Sequence, residues 1–299
     1  MDTKNTKGIL LAGGAGSRLY PLSKVYSKQL VAVYDKPMIY YPMATLINAG
    51  IKEILIIADS NTIPFYQKLF ENSTENNLGI TIQYAVQEKP NGIAEAFIIG
   101  KDFIGKDNVA LILGDNIFYG CDEIFRKEIE RGYNTIFALY VKDPEQYGVV
   151  QFSAQNIANK IIEKPMNFVS NYAVPGFYIY DSSVVEVATK LKPSNRGELE
   201  ITDINNHYLQ QFNLDIILLN KGVTWLDSGT PDSLLAASNF IASIEQRHNI
   251  KVGCYEEAAY RMKFIARKQL LDYTNTLPNC AYKDYLLFVS NNMQDNLDF

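Results

Sequence analysis

The chain has 299 residues, 47% apolar and 20% charged, an ordinary globular composition with room for one large domain or one with appendages. Its 28 basic and 33 acidic side chains leave a net charge of −5, without the basic footprint that nucleic-acid binding requires. Three scattered cysteines (Cys121, Cys254, Cys280) and two histidines (His207, His248) exclude a disulfide framework and a Cys- or His-built metal site. Chemistry here would fall to carboxylates, Lys, Arg and a hard cation. Charge-free stretches such as Pro165 to Tyr180 are too short and polar to span a bilayer. The polar start, Met1 to Lys7, lacks the apolar core of an export signal and reads as a frayed extension. The expected compartment is the cytoplasm, with no nucleic acid and no membrane as partner.

In chain order, Gly8–Ala12, Ile54–Ala58, Ile80–Ala85 and Val109–Leu113 are short apolar runs bounded by Gly, Asn or Asp, and predict buried strands. Between the last two, Ile93, Ala96, Phe97, Gly100 and Ile104 fall at helical spacing. This alternation predicts an α/β fold, a Rossmann-like, mostly parallel central sheet flanked by helices. Ligands of such sheets sit beyond the carboxyl ends of the strands. Asn134–Val141, Tyr147–Phe152, Ile157–Glu163 and Tyr172–Tyr180 are strand-like with few helices between them, and predict extra strands forming a second lobe. Thr230 then suits a helix N-cap and Pro231 the first helical position, with Leu234, Ala237, Ile241 and Ile244 as the apolar stripe. From about Glu256 the chain reads as helical and ends in a polar tail. The expected division is an α/β domain over 7–250, its first half about 7–130 and its second lobe about 131–230, with a helical C-terminal appendage over 251–299.

The first strand runs into Leu11-Ala12-Gly13-Gly14-Ala15-Gly16-Ser17-Arg18-Leu19. Glycines let backbone N–H groups approach a phosphate chain, and Arg18 adds a planar cation suited to phosphate oxygens. The glycines alone would equally suit a tight strand-to-helix turn. There is no GxxxxGK[ST], and Leu19 stands where a dinucleotide fold needs its third glycine. Asp115 follows the strand ending at Leu113, and Asp227 follows the short run Val223–Leu226. Two such carboxylates can converge on one Mg²⁺, which keeps several waters; each alone could merely cap a turn.

Further segments follow: Ser27-Lys28-Gln29-Leu30, Val33–Pro42 (VYDKPMIYYP), Gln83–Gln87, Leu113–Asn116, Tyr147–Val150, Glu163–Pro165, Arg196–Asp203 and Trp225–Thr230. With LAGGAGSRLYP, these resemble the sugar nucleotidyltransferases, most closely the glucose-1-phosphate thymidylyltransferases. The resemblance covers about residues 7 to 290. Ser17 replaces the usual Thr, Ala32 replaces a usual Pro, and Pro175 stands where Thr or a similar residue is usual.

The resemblance implies Mg²⁺-dependent transfer of a thymidylyl group from dTTP to α-D-glucose 1-phosphate, giving dTDP-glucose and pyrophosphate. This is the first step towards dTDP-deoxysugars such as dTDP-rhamnose. It implies Arg18, Lys28, Asp115 and Asp227 as the catalytic set, with Asp115 and Asp227 holding the metal. Nucleotide contacts fall to Leu11, Ala12, Gly13, Gly14, Gly16, Arg18, Lys28, Gln29, Gln87, Gly92 and Asp115. In that set Gln87 offers the base a donor and an acceptor, and Gly92 brings backbone to it. Sugar contacts fall to Asn116, Tyr147, Gly148, Glu163, Lys164, Val174 and Trp225; Trp225 either covers the sugar or simply packs. Met38, Ile39, Tyr40 and Tyr41 read as core or subunit contact. Glu256, Glu257 and Arg261 resemble a regulatory region near a subunit interface, which implies a homotetramer; their plain reading is a charged helix face. A uridylyltransferase, a non-catalytic nucleotide-sugar sensor and a glycosyltransferase are the competing readings.

Overall fold

The computed structural model describes residues 5–14 and 16–292. In chain order the strands are β1 (Thr6–Leu11), β2 (Ala32–Val33), β3 (Lys36–Pro37), β4 (Glu53–Ala58), β5 (Thr81–Val86), β6 (Asn108–Leu113), β7 (Asn116–Tyr119), β8 (Thr135–Tyr140), β9 (Gly148–Phe152), β10 (Ala158–Glu163), β11 (Tyr172–Val174), β12 (Phe177–Tyr180), β13 (Asp215–Leu218) and β14 (Thr224–Asp227). One large sheet runs β10-β9-β11-β8-β12-β6-β1-β4-β5, with β13 beside β8. The half β6-β1-β4-β5 is parallel. From β12 outward the pairs are antiparallel, except that β13 lies parallel to β8. The expected mostly parallel centre with added strands is therefore present.

Period-two alternation divides the parallel half between two cores. Leu10, Ile54, Ile56, Ala110 and Ile112 face one side, with Met43, Leu46, Phe125 and Tyr255 from its helices. Ile9, Leu55, Ile57 and Leu111 face the other, with Phe97, Val184, Ile204 and Tyr208. Both faces are covered, which is why these strands read as continuous apolar runs rather than alternating ones.

The predicted helix about Ile93–Ile104 is two short helices, Glu95–Ile99 and Lys101–Ile104, meeting at Gly100. The Tyr172–Tyr180 run is likewise broken, at Pro175–Gly176, into β11 and β12. The frayed extension needs correction. Thr6 and Lys7 belong to β1, paired with Asn108 and Val109, and Lys7 binds Asp107 at 3.0 Å. Met1–Lys4 lie outside the described residues, as do residues 293–299 of the polar tail.

The long helix Pro231–His248 starts where Thr230 predicts. Thr230 Oγ1 accepts from Ser233 N at 3.2 Å, and Ser233 Oγ accepts from Thr230 N at 2.9 Å. Its Ala237 and Ile241 are buried against Val33, Met38, Tyr41, Ile117 and Val252. Lys36, in the β2–β3 hairpin, reaches Glu245 on this helix at 2.9 Å, and Lys251 reaches the same carboxylate at 2.7 Å. Met38, Ile39 and Tyr41 are buried, and the helix Tyr40–Asn48 joins the same core as Tyr255, Leu270, Tyr273, Leu286 and Val289 from the C-terminal helices. No helix among the described residues is long and apolar enough to cross a membrane.

Candidate active site

The candidate side chains gather along one rim, at the carboxyl ends of the parallel strands. The order β6-β1-β4-β5 sets out Asp115 after β6, the glycine turn after β1, Ala58 ending β4, and Gln87 after β5. Neighbouring strands are about 4.8 Å apart, so the span from the turn to Gln87 is roughly 10 Å. That matches an elongated ligand lying across the strand ends.

The turn is shaped by what packs against it. Gly13 lies on β4, where a Cβ would stand 3.2 Å from Ala58 Cα. Gly14 has no heavy atom within 4 Å of where a Cβ would project, so that flank is open. Gly16 has φ +55°, and a Cβ there would meet Lys28 Cβ at 3.1 Å. A side chain at Gly16 would be strained and would push on Lys28. Lys28 and Gln29 are buried. Gln29 Oε1 accepts from Ser27 Oγ at 2.9 Å, and its side chain fits against Gly114.

Lys28 Nζ rests on Asp115 Oδ2. Asp115 Oδ1 accepts from Asn116 Nδ2 at 2.8 Å. Asn116 is a hub: its Oδ1 also accepts from Trp225 Nε1 at 2.6 Å and Gly176 N at 2.9 Å. Asp227 reaches the same place because β14 pairs with β7, in register Asp227 opposite Asn116. Burial, and then the Asp115 charge, push the Asp227 carboxyl above its ordinary range, while Lys28 and Arg18 oppose the shift. Arg18 and Asp227 meet at Gly229, where a Cβ would stand 2.6 Å from Arg18 Nη2 and 3.0 Å from Asp227 Oδ1. Two carboxylates and two cations thus share one small volume, and the two carboxylates raise each other's need for a counter-ion.

A hard divalent cation fits these residues. Asp115 and Asp227 supply oxygen donors of the right type, and Mg²⁺ keeps most of its waters when held by one or two carboxylates. Beside them Ser228 Oγ is buried without a hydrogen-bond partner among the described residues, while Ser228 N donates to Asp115 O at 3.3 Å. No group of three His, Cys, Asp or Glu is placed to cage a metal among the described residues.

The sugar-assigned residues fall on adjacent strands. Gly148 lies opposite Glu163 of β10 on one side and Val174 of β11 on the other. Glu163 Oε2 accepts from Thr202 Oγ1 at 2.6 Å, and its Oε1 lies 3.4 Å from Arg196 Nη2. Lys164 has φ +42° and its N donates to Tyr147 O at 3.0 Å, while its ammonium lies 3.9 Å from Glu163. The Tyr147 and Trp225 rings stand edge to face at 4.7 Å. Burial, then Asp227, raise the Tyr147 hydroxyl to about 12. This lobe therefore adjoins the carboxylates. Trp225 both packs and hydrogen-bonds, holding Asn116. Thr202 and Arg196, which secure Glu163, lie in the Arg196–Asp203 segment, whose motif carries no signal of a role for either side chain.

One expectation about the base changes. Gln87 does not offer a donor and an acceptor alike, because its Nε2 donates to Glu95 Oε2 at 2.7 Å and to Gly92 O at 3.4 Å. Gly92, with φ +110°, is pressed on the Leu199 backbone, where a Cβ would stand 2.3 Å from the carbonyl oxygen. Its glycine is required by that contact.

Glu257 and Arg261 lie elsewhere, in a cavity of about 370 Å³ that Thr45, Tyr119, Asp122 and Lys251 also line. Arg261 Nε donates to Glu257 Oε1 at 2.8 Å, and Tyr285 OH donates to Glu257 Oε2 at 2.6 Å. Glu256 is not among the lining residues. Its carboxyl turns into the core, accepting from Tyr282 OH at 2.6 Å and Tyr273 OH at 3.3 Å, and burial raises its pKa.

Comparison with known proteins shows the family. A family model described as nucleotidyl transferase matches residues 7–244. A glucose-1-phosphate thymidylyltransferase of Mycobacterium tuberculosis is 47% identical over 283 residues, 94% of this chain and 98% of that protein. One from Neisseria meningitidis is 45% identical over 286 residues, again 94% and 98%. A Bacillus anthracis protein assigned to glucose-1-phosphate thymidylyltransferase, solved with sucrose, aligns with TM-score 0.72 and 39% identity over 79% of this chain and 94% of that one. A UDP-glucose pyrophosphorylase solved with UDP-glucose shares the fold, with TM-score 0.71 and 22% identity over 81% and 100%. The chain belongs to the nucleotidyl transferase family.

Proposed function

We propose that the chain transfers a thymidylyl group from dTTP to α-D-glucose 1-phosphate, releasing pyrophosphate and dTDP-glucose. The observation that carries this reading is the meeting of Asp115, Asp227, Lys28 and Arg18 beside the open flank of the glycine turn. The similarity to thymidylyltransferases over 94% of the chain supports it.

A phosphate oxygen of the sugar forms a bond to the α-phosphorus, and the bond from that phosphorus to the bridging oxygen breaks. The attacking oxygen is already anionic at neutral pH, so no side chain must remove a proton. What remains is to bring two polyanions together and to offset their spread charge. Backbone N–H groups of Gly13, Gly14 and Gly16 would line the triphosphate, with Leu11 and Ala12 beside it at the end of β1, where Ala12 N donates to Ile57 O at 2.8 Å. Arg18 and Lys28 would share the charge that builds on the phosphates. Asp115 and Asp227 would hold Mg²⁺, which would supply positive charge against that of the phosphates. Asn116 keeps Asp115 in place. Glu163 would accept from sugar hydroxyls, with Gly148 leaving room and Lys164 meeting the sugar phosphate.

A homotetramer, and a second, regulatory site at Glu257 and Arg261, complete the proposal. The cavity these two residues line has both polar and apolar walls and does not include Asp115 or Asp227. A pathway to deoxysugars such as dTDP-rhamnose would consume the product.

Turnover with a panel of dTTP, UTP, ATP and dCTP tests the function, each triphosphate supplied with glucose 1-phosphate. The expected result is pyrophosphate release fastest with dTTP and formation of dTDP-glucose. A strong preference for UTP would make the chain a uridylyltransferase on the same fold.

A further inference from the structure

We propose that Lys36 is a positioning residue for Lys28: with Asp35, Glu245 and Lys251 it forms a buried ion cluster that fixes the hairpin carrying Lys28 to the helix Pro231–His248. This rests on the transfer reading above, in which Lys28 faces the phosphates, and adds what sets its place.

Lys28 sits on an irregular part of the chain. The single turn Lys28–Leu30 closes through Leu30 N, which donates to Ser27 O at 2.9 Å, and Val31 N, which donates to Lys28 O at 3.1 Å. Beyond that, its main chain is held by the opposite arm of the β2–β3 hairpin. Ile39 N donates to Gln29 O at 3.0 Å, and Met38 N donates to Val31 O at 3.0 Å. The two strands pair only Ala32 with Pro37 and Val33 with Lys36. A two-stranded hairpin is marginal by itself, so its place must come from what it is fastened to.

The ion cluster supplies the fastening. Lys36 Nζ lies 2.5 Å from Asp35 Oδ1 and 2.9 Å from Glu245 Oε1. Lys251 Nζ rests on Asp35 Oδ2 and lies 2.7 Å from Glu245 Oε2. Val252 N adds a donor to Glu245 Oε1 at 3.0 Å. Two cations and two carboxylates balance, and the Lys36 and Glu245 side chains are only 2% and 4% exposed. The Lys36 ammonium also lies 5.1 Å from the centre of the Tyr41 ring, whose hydroxyl donates to Val33 O at 2.7 Å. At the tip, Tyr34 N donates to Ser238 Oγ on the same helix at 3.2 Å.

Such a cluster offers little net stability over apolar packing, because desolvating the charges offsets their attraction. What it imposes is a single arrangement, since a shifted hairpin would leave buried charges unpaired. The helix that carries Glu245 begins at Pro231, shortly after Asp227. Lys28, through the hairpin, and Asp227, through the helix start, are therefore referred to one rigid element.

The test is a double-mutant cycle on kcat. Pyrophosphate release is followed with whichever triphosphate the protein turns over fastest, with glucose 1-phosphate and Mg²⁺ saturating. Lys36→Met keeps the apolar stem and removes the charge. The expected result is at least about a tenfold fall in kcat, with KM for both substrates within about twofold, the pattern of a contact used only in the transition state. In a Lys28→Ala background the same substitution should cost less than about twofold, because the group it positions is gone. Glu245→Gln, which keeps the shape and the Val252 hydrogen bond, should show the same dependence on Lys28 with a smaller fall, and it stands in if Lys36→Met does not fold. A merely structural role would lower the unfolding midpoint and cost the same factor with or without Lys28. Equal cost in both backgrounds, or full turnover in Lys36→Met, would overturn the inference and leave the transfer reading intact. Near-normal turnover in Lys28→Ala alone would instead remove Lys28 from the catalytic set, and the inference with it.

Discussion

Lys28 shows how one cation can serve two anions. Its ammonium is buried and rests on Asp115, so it is already oriented towards the place where phosphate charge would build. Preorganised cations of this kind lower a barrier because they need no reorganisation during the reaction. Lys28→Ala should lower kcat about 10²-fold or more in pyrophosphate-release assays, with the fold retained by circular dichroism. A folded variant with near-normal turnover would remove Lys28 from the catalytic set. Lys28 stood out in the sequence through its segment, Ser27–Leu30, and its ten-residue distance from Arg18. Gln87 was harder. Its residue type offers a donor and an acceptor, and only the fold turns Glu95, eight positions on, back against its amide nitrogen. Glu256 failed for the same reason: a glutamate in a polar string reads as solvated, yet two tyrosine hydroxyls satisfy it inside the core.

Among the elements, the strands of the parallel half were legible because both their faces are buried, and their apolar runs are bounded by turn residues. Strands β7 and β13 carry no clear sequence signal. Each has four residues, and Asn116–Tyr119 begins with the polar hub that the site uses. The break between β11 and β12 was also hidden in an apolar run. Its physical cause is the approach of Gly176 to β6 and β7. Gly176 N donates to Asn116 Oδ1, and a Cβ there would stand 2.6 Å from Leu113 Cγ and 2.8 Å from Asn116 Oδ1. Pro175 lacks an N–H, but the next residue supplies the donor that Asn116 needs. Gly176→Ala should therefore cost about 1–3 kcal/mol in denaturant titration, the scale of overpacking, and should lower kcat by displacing the residue that positions Asp115. A variant with unchanged stability and turnover would show that this contact relaxes freely.

At the scale of the molecule, function depends on a sheet that brings distant chain segments to one rim. The glycine turn, Asp115 and Gln87 arrive on parallel strands, and Asp227 arrives on a hairpin-like pairing more than a hundred residues later. The motifs singled out the residues proposed for the site, and the α/β rhythm predicted that they would sit at strand ends. The sequence could not show that the helices Tyr255–Arg261, Arg267–Thr276 and Ala281–Asn292 share their core with Tyr40–Asn48, because their apolar residues read as a separate helical region. The pairing of Asp115 with Asp227 carries the whole account. The direct test is dTDP-glucose formation by metal-stripped protein, titrated with Mg²⁺, in wild type and in Asp115→Asn and Asp227→Asn. The account predicts no product without the cation, restoration on its addition to wild type, and at least about a 10²-fold loss in each variant. Full-rate product formation by the stripped protein, or variants that respond to Mg²⁺ as wild type does, would contradict it.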